Sequence, residues 1–153
     1  MHSFFIYSDE QNRYCDSPVE VRLAEGNNVT MGRIEVKYKG LIFNLIKTNQ
    51  DLSWSNFSIS FKDVWGTICD DNFGPLEGQV VCKMLGFESS IAIIHKEAAF
   101  NAGSGPIWIN SIVCNGNEGN LRECKSADWS PSFQCKHVED VGVECIPINQ
   151  LEK

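Results

Sequence analysis

Seven cysteines occur in this 153-residue chain, and six of them, Cys69, Cys82, Cys114, Cys124, Cys135 and Cys145, lie beyond residue 68 among Gly, Trp and Asp. None belongs to a Cys-x-x-Cys pair, and their spacing is unlike that of zinc modules, so the set is expected to be a disulfide framework. Disulfides persist outside the reducing cytosol, which favours a secreted or ectodomain binding module over an intracellular enzyme. Cys15 stands apart from the six, and is expected either to pair outside this stretch or to be a free thiol.

The chain is long enough for one domain with end extensions, and 42% hydrophobic with 10% aromatic residues can build its core. The formal net charge is -7 and the 13 basic residues are scattered, which speaks against nucleic acid as a partner. An acidic balance suits a cation or a cationic partner, and it also keeps secreted proteins dispersed. No apolar run reaches the roughly 20 residues that a membrane span needs, so no membrane insertion is expected. The opening Met1-His2-Ser3-Phe4-Phe5-Ile6-Tyr7 lacks a basic region and is too short for a signal peptide. The expectation is a piece of a longer secreted protein, or one whose signal has been removed. Two N-x-[ST] sequons, at Asn28 and Asn56, fit passage through a secretory pathway and are candidate glycosylation sites.

Residues 1–18 are polar and mixed, end in Ser17-Pro18, and read as a leader or linker. Alternation of apolar and charged residues predicts strands over 19–23 and 32–38, the second with Ile34, Val36 and Tyr38 on one face and Arg33, Glu35 and Lys37 on the other. Gly26-Asn27-Asn28 supplies the turn between them. An apolar segment over 41–46 and an alternating one over 54–61 suggest a long hairpin arm, and 64–69 a further strand. The helix is predicted over 75–86: Pro75 suits its first position, Leu76, Val80 and Met84 recur one turn apart, and Gly86 suits its end. Gly78 should cost this helix about 1 kcal/mol relative to Ala, so packing must hold it. Short strands are predicted over 91–94, 107–113 and 141–145, giving an α+β domain.

Several blocks together carry a family pattern. Gly32-Arg33-Ile34-Glu35-Val36, Trp65-Gly66-Thr67-Ile68-Cys69-Asp70-Asp71, Val80-Val81-Cys82-Lys83-Met84-Leu85-Gly86 and Gly103-Ser104-Gly105-Pro106-Ile107-Trp108 occur in order. Cys114-Asn115-Gly116-Asn117-Glu118, Leu121-Arg122-Glu123-Cys124 and His137-Val138-Glu139-Asp140-Val141-Gly142-Val143-Glu144-Cys145 follow. The chain from 19 to 146 thereby resembles the scavenger receptor cysteine-rich (SRCR) domain of the six-cysteine group, with residues 147–153 as a C-terminal tail. The resemblance implies a curved antiparallel sheet cradling one helix. It also implies bridges from Cys69 to Cys135, Cys82 to Cys145 and Cys114 to Cys124, each worth about 2 to 4 kcal/mol. The chain departs from the family pattern by an insertion over about 39–63, whose Trp54, Phe57 and Phe61 are candidates for contact with a ligand or a neighbouring domain.

Asp70 and Asp71 stand where the strand breaks into the turn Asn72-Phe73-Gly74-Pro75, which lets consecutive carboxylates face one cation. Glu118, on the loop bounded by Cys114 and Cys124, is the expected third ligand. Three hard oxygen donors favour calcium, and SRCR domains that bind ligands with calcium use positions the resemblance matches to these. The competing reading is a solvated turn whose charge favours the helix N-terminus. With so few carboxylates the affinity should be weak, about 10⁻⁴ to 10⁻³ M. Glu139 and Asp140 beside His137 are expected to be buried carboxylates bonded to loop backbone, the alternative being a supplementary cation or ligand contact. No Gly-x-Ser-x-Gly elbow surrounds Ser104, and no second metal-ligand pair accompanies Cys135 and His137, so catalysis is not expected. The chain reads as an extracellular module for a protein or glycan ligand, or else as a spacer within a larger multidomain protein.

Overall fold

The computed structural model describes residues 19–37, 40–43, 58–61, 64–127 and 134–151. Strands β1 (Glu20–Ala24) and β2 (Met31–Lys37) form an antiparallel hairpin in the register Glu20↔Lys37 to Ala24↔Arg33. β3 (Gly40–Phe43) and β4 (Ser58–Phe61) pair antiparallel in a ladder of their own. Residues 44–57 of the insertion, with Trp54, Phe57 and the Asn56 sequon, lie outside the described residues, as does Cys15. β5 (Trp65–Ile68) leads to helix α1 (Pro75–Met84), followed by β6 (Ser90–His95), β7 (Ile107–Ile109), β8 (Ile112–Val113), β9 (Ser126–Ala127) and β10 (Gly142–Pro147). The main sheet runs β6-β10-β2-β5-β7 with β1 on the far side of β2, and among the described strands only the β5–β7 pair is parallel.

Helix α1 begins as its sequence predicts, with Pro75 at the first position and the Glu77 carboxylate accepting from the Gly74 amide at 2.9 Å. Gly78 is explained by packing: a Cβ there would fall 2.5 Å from Ile94 Cδ1 and 2.9 Å from Ala92 Cβ. The glycine therefore lets the helix lie directly on β6. Ile34, Val36, Ile68, Val80, Val81, Val141 and Val143 are fully buried between helix and sheet, with Trp108 closing the core as its indole N–H donates to the Val64 carbonyl.

Three disulfides link Cys69 to Cys135, Cys82 to Cys145 and Cys114 to Cys124. The second fastens α1 to β10.

Two expectations change, and one face of β2 is covered in a way that alternation does not address. The strand predicted over 107–113 is two: it breaks at Asn110 and Ser111 because Ile112 and Val113 leave the main sheet to pair with β9. The tail predicted from residue 147 is partly structured, since Pro147 ends β10 and the Ile148 amide donates to the Ser89 carbonyl at 2.9 Å. The charged face of β2 is largely covered, with Arg33 and Glu35 only 5% and 7% exposed. Arg33 donates to Glu35, to Glu25 and to the carbonyls of Phe100 and Asn101, so the backbone at Phe100 and Asn101 lies over that face.

Candidate cation and ligand site

The site begins where β5 ends. The Cys69 amide donates to the Ile109 carbonyl and the Asp70 amide to the Glu139 carbonyl at 2.8 Å, so the segment after Cys135 is stitched beside Asp70. The Cys69–Cys135 bridge secures the same junction covalently. The chain then turns, with the Phe73 amide donating to the Asp70 carbonyl at 3.2 Å and Asn72 at a φ of 57° in the left-handed region. Asn tolerates that region better than most residues. The turn releases Asp70 and Asp71 from the opposite-face rule of a regular strand.

Their carboxylates meet Glu139. One oxygen each from Asp70, Asp71 and Glu139, with the Cys69 sulfur, lie within 4.8 Å of one another. Asp70 is 8% exposed and accepts from the Glu97 amide at 2.9 Å, Glu139 is half-buried and accepts from the Lys136 amide at 3.0 Å, and Asp71 is exposed. The Lys96 ammonium donates to the Asp70 carbonyl oxygen at 3.0 Å. Since Cys69 is disulfide-bonded, it offers no thiolate. What remains is three hard carboxylates, a donor set that fits calcium or another oxygen-seeking cation.

Glu118 is not among the acids within that 4.8 Å group. Its carboxylate turns back on its own loop to accept from the Asn115 amide at 2.7 Å, a bond that holds the carboxyl below its usual range. Lys83 donates to the Asn117 and Glu118 carbonyls at 3.0 and 3.2 Å. The third acid that meets Asp70 and Asp71 is Glu139. One signal in the sequence points to it: a bridge from Cys69 to Cys135 brings the residues just after Cys135 to those just after Cys69. Asp140, its neighbour, is 1% exposed and accepts from the Gly103 amide at 2.7 Å. His137 Nδ1 lies 2.9 Å from Asp140 Oδ2, and its Nε2 3.0 Å from the Gly105 carbonyl oxygen. This is the buried, backbone-bonded carboxylate expected of the segment.

Glu77 is a residue that sequence reasoning missed. Besides capping α1 it accepts from the Cys114 amide at 2.9 Å, which couples the helix start to the Cys114–Cys124 loop. The Asn28 sequon lies on the exposed β1–β2 turn, where the Asn28 side-chain oxygen accepts from the Thr30 amide and hydroxyl.

The sequence model of the scavenger receptor cysteine-rich domain matches residues 24–146. The chain belongs to the SRCR family. It is 37% identical over 125 residues to macrophage scavenger receptor types I and II of Mus musculus, a match covering 82% of this chain and 22% of that protein. It is 35% identical over 132 residues to CD5 antigen-like of Homo sapiens, covering 86% of this chain and 31% of that protein. Among solved structures, the third SRCR domain of murine neurotrypsin aligns with a TM-score of 0.61 and 32% identity, covering 83% of this chain and 95% of that one. The matched stretch thus spans only about a fifth to a third of the length of these two relatives. SRCR domains are non-catalytic binding modules, and a disulfide-rich domain of this kind is typical of multidomain extracellular proteins.

Proposed function

We propose that this SRCR domain is a secreted or ectodomain recognition module that binds a protein or glycan ligand with the help of a calcium ion held by Asp70, Asp71 and Glu139. The observation that carries the reading is the meeting of three carboxylates at one strand end. Like charges at that distance repel, and a divalent cation relieves the repulsion. Calcium takes about 6 to 8 oxygen ligands, so three carboxylates leave positions for water and for the ligand's own oxygens. Exposed Asp71 gives the ligand its approach. The Glu118 position named from the sequence is not needed for this set. Secretion would also place a glycan on Asn28, whose exposed turn suits it, and the insertion's Trp54, Phe57 and Phe61 are proposed as a second contact on sequence grounds.

A thermal melt with and without calcium tests the reading. At a hundredfold excess over the dissociation constant the ion should stabilise the fold by about 2.7 kcal/mol. Asp71→Ala should abolish the shift, whereas Glu118→Gln should leave it intact. An unshifted wild type would sink the proposal and favour the spacer role among neighbouring domains.

A further inference from the structure

Strand β6 is the outermost strand of the main sheet beyond β10. Its register with β10 is regular from Ser90↔Pro147 to His95↔Gly142, and the Ile148 amide donates to the Ser89 carbonyl. In an antiparallel pair the hydrogen-bonded residues alternate, so odd-numbered residues of β6 direct their backbone groups to β10. Ser90, Ala92 and Ile94 direct theirs outward, where no described strand meets them. Exposed edges are ordinarily protected by charges, proline or a bulge. The sequence of β6, SIAIIH, contains no Lys, Arg, Asp, Glu or Pro and its pairing has no bulge, yet Ile91 and Ile93 are 47% and 41% exposed.

We propose that β6 is an association edge whose occupant is β6 of a second copy, paired antiparallel about Ala92. That centre meets several independent requirements. Ala92 would face Ala92 of the second copy as a hydrogen-bonded pair, using the backbone groups left open. Ile91 would face Ile93 of the second copy, and the reverse, in the non-hydrogen-bonded positions where side chains approach closest. Just beyond the strand, exposed Glu88 would face exposed Lys96 of the second copy on both sides of the two-fold axis. Lys96 uses one of its three N–H groups on the Asp70 carbonyl, leaving others for that pair. Moving the centre to Ile93 sets Lys96 against Ser90 and removes the charge match. An apolar strand flanked by opposite charges complements itself when read backwards, and that singles out a second copy over an unrelated peptide.

The test is sedimentation of the full chain carrying Cys15→Ser, which removes thiol-linked association, in chelator so that the outcome is independent of the cation site. A concentration-dependent monomer–dimer equilibrium is expected. Ile93→Lys should weaken it at least about tenfold, with the far-ultraviolet spectrum and melting temperature of the monomer unchanged. Glu88→Lys and Lys96→Glu should each weaken self-association, while an equimolar mixture of the two variants should restore it. A chain that stays monomeric into the millimolar range overturns the proposal. So does a dimer indifferent to Ile93→Lys, or a mixture no better than its components.

Discussion

Ile34 and Val36 leave β2 toward the helix, Arg33 and Glu35 leave it on the other face, where Arg33 meets the carbonyls of Phe100 and Asn101, and all four are buried. The apolar side is held by area removed from water, about 1.5 to 3 kcal/mol for each large side chain, and asks little of direction. The charged side works by completeness. Arg33 meets Glu25, Glu35 and two loop carbonyls, while Glu35 is also gripped by Arg22 at 2.8 Å from its Nε. Burial opposes ionisation of Glu35, yet the hydrogen bonds from Arg33 and Arg22 outweigh it and hold the carboxyl below its usual range. The two faces of one strand should therefore fail differently. A shortened apolar side chain leaves a cavity, whereas a deleted charge leaves its partner buried without compensation.

The largest effect is expected on the apolar side. Trp108→Ala should lower unfolding free energy by about 3 to 5 kcal/mol in a denaturant titration, at every pH where the protein folds. On the charged side, Arg33→Met should cost about 3 kcal/mol at neutral pH, and the deficit should depend on pH. Because the folded pKa of Glu35 is depressed, its contribution is fully present above the ordinary carboxylate value of 4.5 and is lost as pH falls through the lower folded value. Without Arg33 that depression shrinks, so wild type and variant should converge in acid. The Trp108→Ala curve should instead run parallel to wild type through the same range. Parallel curves for both variants would break the comparison between the faces.

The apolar side was legible in the sequence because its signals are local. Alternation marked β1 and β2, the one-turn recurrence of Leu76, Val80 and Met84 marked α1, and cysteines in family register implied the bridges. The charged side was not, because alternation says that Arg33 and Glu35 share a face and is silent about what covers it. Their cover comes from Phe100 and Asn101, far along the chain, and consists of carbonyl groups that every residue type possesses. The candidate cation site divides in the same way. Asp70 and Asp71 were visible as acids at a strand-to-turn break, but the third carboxylate is chosen by the fold: the backbone bond from Asp70 to Glu139 brings that acid in, while Glu118 folds onto its own loop.

The smallest effect separates burial from charge on one face. By alternation Lys37 projects to the same side of β2 as Arg33, and its ammonium sits 2.8 Å from Glu20, its register partner on β1. The Glu20 side chain is 53% exposed, so water and salt screen the pair, and Lys37→Met should cost only about 0.2 to 1 kcal/mol. Methionine keeps most of the aliphatic stem beside Trp65, over which Arg22 also lies, 4.2 Å from the ring centroid. The remaining loss should therefore be mainly electrostatic and should fade as salt is raised, while the Arg33→Met deficit, arising inside the covered network, should persist. If Lys37→Met proved as costly as Arg33→Met, or both faded equally in salt, the charged face would be held by its summed field. Its strength would then not lie in the closed set of bonds around Arg33 and Glu35.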